Sequence, residues 1–215
     1  MYRRILITST LLAFVLGQTQ MAQAASRLHS AKTILIVGDS LSAEYGLQRG
    51  TGWVALLEQR LQNEKINAKV VNASISGDTS AGGRARLEAL LKQHQPSHVI
   101  IELGGNDALR GLPLQQTQDQ LSEMTRLSQQ SGAQVLLLGM QLPPNYGPDY
   151  GQAFAAIYSK VARTQGAGLV PFFLKNVADA PQAVFLFQAD RIHPSERAQA
   201  LMLANVWSEL RKLLK

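Results

Sequence analysis

The chain has 215 residues, 46% hydrophobic and 17% charged, a globular balance that excludes a disordered polypeptide and suits one domain with a sizeable core. Its formal charge is +6, from 21 Lys+Arg against 15 Asp+Glu, but no Lys/Arg block is interleaved with aromatics, which argues against nucleic-acid binding. Cysteine is absent, which excludes thiol nucleophiles and Cys-based metal sites, and the four histidines (His29, His94, His98, His193) lack the HExxH-type spacing of a zinc site.

Arg3 and Arg4 precede an apolar stretch from Ile5 to Leu16, and Ala22-Gln23-Ala24 supplies the small-x-small pattern that a signal peptidase accepts. The stretch is shorter than the ~20 residues that span a bilayer. The pattern predicts a signal peptide over residues 1–24, cut before Ala25, and a single domain over 25–215. Without Arg3 and Arg4 the balance is 19 basic to 15 acidic residues, or +4.

Ile34-Leu35-Ile36-Val37 reads as a short buried strand that ends in Gly38-Asp39-Ser40-Leu41-Ser42. After a glycine-bearing loop, Trp53, Leu56, Leu57 and Leu61 recur at helical spacing. Lys69–Ala73 reads as the second strand and runs into the turn Ser74–Thr79, before a helix from about Gly83 to Gln93. The third strand, His98–Leu103, delivers Gly104-Gly105-Asn106-Asp107. A loop follows over Ala108–Pro113, then a Gln-rich helix over Leu114–Gln130. Val135–Leu138 is the fourth strand. Gly147–Gly151 reads as a loop, Ala153–Gln165 as a helix and Leu169-Val170 as a short fifth strand. Phe172–Phe187 has no clear period. Ser195 is placed to cap a closing helix that carries Leu201, Leu203, Val206, Leu210 and Leu213 inward. Five strand–helix alternations predict an α/β fold, a three-layer α/β/α domain around a five-stranded parallel sheet.

Ligand sites in such sheets form beyond the carboxyl ends of the strands, where strand order reverses. The clusters after strands one, two and three present Ser40, Gly77 and Asn106 there, and a strand order of 2-1-3-4-5 would make them neighbours. Each alone also reads as turn chemistry, since Gly, Asp, Asn and Ser are ordinary turn residues. Their recurrence along one rim favours a site.

Gly38-Asp39-Ser40-Leu41, Gly77 within Ser-Gly-Asp, Gly104-Gly105-Asn106-Asp107 and Asp190-x-x-His193-Pro194 resemble the four sequence blocks of the GDSL, or SGNH, hydrolase family. They most resemble its periplasmic thioesterase and lysophospholipase members from Gram-negative bacteria. The resemblance covers essentially the whole chain after residue 24 and implies the flavodoxin-like SGNH fold. It implies Ser40 as nucleophile, His193 as general base and Asp190 as the residue that orients His193. The backbone N–H groups of Ser40 and Gly77 and the amide of Asn106 would form the oxyanion hole. One departure from another hydrolase pattern is clear: a G-x-S-x-G elbow would place glycine where this chain has Ser42.

Leu109 in the loop after Asn106, and Met140, Leu142 and Tyr146 beyond the fourth strand, are the candidates for the acyl-binding wall. Asp39 and Asp107 are expected to make loop hydrogen bonds, and His29, His94 and His98 to lie at the surface or at strand edges. The expected function is a periplasmic or secreted esterase acting on thioesters, aryl esters or lysophospholipids through an acyl-enzyme, with neither metal nor organic cofactor. Its partner would be a small-molecule or lipid acyl ester, and the protein a monomer without stable membrane insertion. A carbohydrate O-deacetylase and a non-catalytic binding protein are the alternatives; a peptidase is less favoured, because amides are harder to cleave.

Overall fold

Three apolar runs form the middle of one parallel sheet, buried on both faces as strands covered by helices must be, and two partly exposed strands form its edges. In the computed structural model, which describes residues 31–215, these are β1 (Lys32–Gly38), β2 (Ala68–Asn72), β3 (His98–Glu102), β4 (Gln134–Leu138) and β5 (Gly168–Val170). The expected signal peptide lies outside the described residues. All pairings are parallel and the order is β2-β1-β3-β4-β5, so the chain reverses direction across the sheet between β1 and β3. Every residue of the central strand β3 is buried.

The helices are α1 (Trp53–Asn63), α2 (Ser80–His94), α3 (Gly105–Leu109), α4 (Leu114–Gln130), α5 (Pro148–Gln165) and α6 (Glu196–Leu213). The α4 boundaries coincide with the sequence reading. Elsewhere local chemistry moves the ends. Thr79 accepts from the Gly82 N–H, so α2 starts three residues before the expected Gly83. Pro148 at the first helical position, after Gly147 at φ +85°, starts α5 inside the segment expected to be a loop. Gly104 at φ +111° launches α3, which takes Ala108 and Leu109 out of the expected 108–113 loop. Ser195 does occupy the N-cap position of α6, but its hydroxyl makes no capping bond and is buried without a partner.

His98 corrects the surface expectation. It is buried at the start of β3, with Nδ1 2.9 Å from Ser97 Oγ and Nε2 3.0 Å from the Leu213 carbonyl. Burial holds its pKa below the ordinary imidazole value. Lys32 Nζ likewise donates to the Leu214 carbonyl, so the end of α6 is fastened to the first residues of β1 and β3. Among the described residues no helix is long and apolar enough to cross a membrane.

Gly139, just past β4, is where two backbones touch. It donates to the Val170 carbonyl and accepts from the Phe173 N–H, both at 2.8 Å. A Cβ there would sit 2.5 Å from the Pro171 carbonyl oxygen, backbone that no rotamer change can move aside. Gly139→Ala is therefore expected to lower stability by about 1–3 kcal/mol in urea unfolding. Gly151→Ala, on α5 with nothing within 4 Å, should instead raise it by up to ~1 kcal/mol. Equal effects at the two positions would refute the contact argument.

Candidate active site

The register between β1 and β3 sets Gly38 opposite Glu102 at the carboxyl edge of the sheet. Glycine is needed at 38, because a Cβ would lie 2.8 Å from Glu102 Oε2 and 2.9 Å from Ser42 Oγ. In the space it leaves, Glu102 Oε2 accepts from Ser42 Oγ at 2.8 Å and from the Asp39 N–H at 3.2 Å. Trp53 Nε1 donates to the same Ser42 hydroxyl. Position 42 thus carries a buried hydroxyl bridge, which the glycine of a G-x-S-x-G elbow could not supply.

Above this base the turn holds Ser40 toward His193. Ser40 Oγ lies 2.9 Å from His193 Nε2, and His193 Nδ1 lies 2.7 Å from Asp190 Oδ2. A carboxylate only accepts, so Nδ1 carries the proton and Nε2 is left to accept from serine. Asp190 is fixed by its own loop, its Oδ1 taking the N–H groups of Ile192 (2.9 Å) and His193 (3.0 Å). The backbone N–H of His193, then its ring, then the N–H of Ile192 hold the Asp190 pKa down to about 2, so it stays anionic at any ordinary working pH.

The tight Asp190–His193 turn requires Arg191 at φ +58°, a left-handed conformation uncommon outside glycine. An antiparallel bridge between Phe187 and Pro194 closes the loop. Gln188 Nε2 donates to the Tyr45 carbonyl at 2.9 Å, which ties the loop to the segment after Ser40. The Tyr45 ring stands 4.3 Å from that of His193.

The three expected oxyanion donors differ in state. Neither the Ser40 nor the Gly77 N–H has an acceptor among the described residues, and Gly77 adopts φ +78°. The Arg110 guanidinium holds the Gly77 carbonyl at 2.8 Å. Asn106, by contrast, already donates from Nδ2 to Asp39 Oδ2 (3.0 Å) and to the Asp78 carbonyl (2.9 Å). An oxyanion here would share an amide hydrogen already engaged, as a three-centre bond.

Asp39 and Glu102 form a buried acid pair under these donors. Burial pushes Asp39 up to about 6, and burial together with the Asp39 charge pushes Glu102 well above the carboxylate range. Glu102 Oε1 is buried without a partner, while Asp39 Oδ2 is the acceptor for Asn106. Sequence reading placed Glu102 in a strand and gave it no role; its signal was being the one charge in an otherwise apolar run. Asp107, as expected, makes loop bonds, accepting from the N–H and the hydroxyl of Ser80.

A cavity of about 720 Å³ opens beside Ser40, His193 and Asn106. Leu109, Met140 and Leu142 line it as expected. Tyr146 does not: Pro143 and Pro144 set a single 3₁₀ turn that leaves it partly exposed outside the wall. Phe154, Phe172, Leu174 and Phe187 add to the apolar lining, and three of these come from the segment whose period the sequence left open.

Residues 36–201 match the model of the GDSL-like lipase/acylhydrolase family. The chain belongs to this family. As a GDSL-like hydrolase it is 51% identical over 211 residues to the Pseudomonas aeruginosa protein named esterase TesA, spanning 98% of this chain and all of that one. It is 46% identical over 188 residues to the Escherichia coli thioesterase 1/protease 1/lysophospholipase L1, spanning 87% and 88% of the two chains. A solved structure titled as TesA, 53% identical, superposes with a TM-score of 0.82 over 85% of this chain and 99% of its own. The GDSL hydrolase therefore shares its five-stranded α/β architecture with solved relatives.

Proposed function

We propose that the protein is an exported serine esterase that hydrolyses acyl thioesters, aryl esters and lysophospholipids through an acyl-enzyme. The observation that carries this reading is an apolar cavity opening onto a serine hydroxyl 2.9 Å from an imidazole whose far nitrogen is held by an anionic aspartate. In the first step Ser40 Oγ attacks the acyl carbonyl while His193 Nε2 takes its proton. The tetrahedral oxyanion faces the N–H groups of Ser40 and Gly77 and the Asn106 amide. Collapse expels the thiol or alcohol, which receives the proton from His193. Water, deprotonated by the same imidazole, then releases the acid. Asp190 steadies the imidazolium at both stages. The names of the relatives support the substrate class. The predicted signal peptide, residues 1–24, supports export to the periplasm or beyond, with Ala25 the expected first residue of the recovered protein.

Rates on p-nitrophenyl esters from acetyl to palmitoyl test the reading. We expect the optimum at medium or long chains, because only those fill the cavity. Activity confined to acetyl would replace it with a deacetylase, and folded protein inert on every ester would leave a binding protein.

A further inference from the structure

Among the described residues eight large apolar side chains are exposed, and seven of them sit on the connections that follow the carboxyl ends of the strands. Tyr45, Ile75, Leu109 and Tyr146 follow β1, β2, β3 and β4 in turn. The other three follow β5. Of these, Val184 and Ile192 border the cavity beside Ser40, while Phe185, 67% exposed, stands outside its lining. Single exposed apolar side chains are ordinary, but their gathering on one end of a molecule marks a surface that meets an apolar phase.

We infer that this end of the molecule docks onto a lipid layer with anionic headgroups, so that an acyl chain passes from the layer into the cavity without crossing water. The inference rests on the esterase reading for the fate of the chain, though not for the docking itself. A protein seated on the same rim would close the mouth of the cavity, whereas a lipid layer would supply what enters it. Charge points the same way. Arg49, Arg110 and Arg191 on these loops are exposed and form no ion pair among the described residues. The acids Glu44, Asp78 and Asp190 are already engaged, by the Gly50 and Gly52 N–H groups, by Arg86 and by His193. Asp179 is engaged by the Asn176 N–H, which leaves Asp149 and Glu196, in the first turns of α5 and α6, to oppose the three arginines. Apolar side chains that enter the acyl region while arginines meet phosphates are how an interfacial surface holds.

The test uses protein expressed from the full gene and carrying Ser40→Ala, so binding is read without turnover and independently of the esterase assignment. It is sedimented with vesicles of equimolar phosphatidylcholine and phosphatidylglycerol, or of phosphatidylcholine alone. We expect partition into the mixed vesicles that weakens with salt, and a loss of about ten-fold or more on adding Phe185→Asp, with Phe185→Leu retaining it. In the chain with Ser40 intact, Phe185→Asp should hydrolyse monomeric p-nitrophenyl butyrate at the unaltered rate, which also shows that it folds. No binding to the mixed vesicles, equal binding to both compositions, or full binding by Phe185→Asp would each overturn the inference. Self-association lost with Phe185→Asp, in place of vesicle binding, would reassign the rim to a second copy of the chain.

Discussion

Ser40→Ala is expected to leave a folded protein whose kcat on p-nitrophenyl esters is lower by about a million-fold. Ser40 is only partly buried and its hydroxyl makes one side-chain bond, to His193, so removing one oxygen disturbs little packing. What would be lost is the proposed covalent route itself. Ser40, His193 and Asp190 form one chain of hydrogen bonds, so the three should act as a unit. His193→Ala should lose a similar factor, and the double variant should be scarcely worse than either single one. Losses that multiply would mean that serine and histidine serve separate steps. Wild-type rates for Ser40→Ala would remove the acyl-enzyme altogether. An electrophilic phosphonate followed by peptide mass spectrometry gives the complementary reading, with the adduct on the peptide that carries Ser40.

The second large effect is at Asn106. Asn106→Ala should lower kcat by about 100- to 1,000-fold with little change in KM, because the amide meets charge that exists only once the carbonyl has been attacked. The site makes this position stricter than a free donor would be. Both amide hydrogens already face Asp39 and Asp78, which sets the direction of the group before substrate arrives. Truncation would also strip a donor from the buried Asp39, so thermal unfolding must be followed beside kinetics. A variant that is less stable, yet retains its kcat per folded molecule, would show Asn106 to be scaffolding.

How far these features could be read without coordinates depends on the range over which each is determined. The strands were legible because a buried parallel strand must be apolar along its length, and the rim residues because each follows directly on such a run. Local chemistry was legible too: Asp190 and His193 are three residues apart and close their own turn. Glu102 was not, because its environment depends on burial and on a carboxylate 63 residues away that comes near only through the β1–β3 register. The cavity wall was legible in part. Leu109, Met140 and Leu142 sit at strand exits, but Phe172 and Phe187 belong to a segment without regular period, whose side chains acquire direction only by wrapping over the site. Tyr146 misled for the opposite reason, being close along the chain and turned away by two prolines. The early start of α5 shows one proline outweighing the two glycines that flank it.

The clamp of His98 and Lys32 on the carbonyls at the end of α6 sets a polarity for the domain over residues 32–215. Those two residues begin their strands, so the end of the chain is anchored at the amino edge of the sheet, while Ser40, His193 and the cavity crowd the carboxyl edge. Lys215 and the mouth of the cavity therefore lie at opposite poles. A molecule attached to a bead, a sensor surface or a carrier protein through a linker at Lys215 would stand with its catalytic face turned outward. Attachment through the scattered surface lysines has no such orientation to offer.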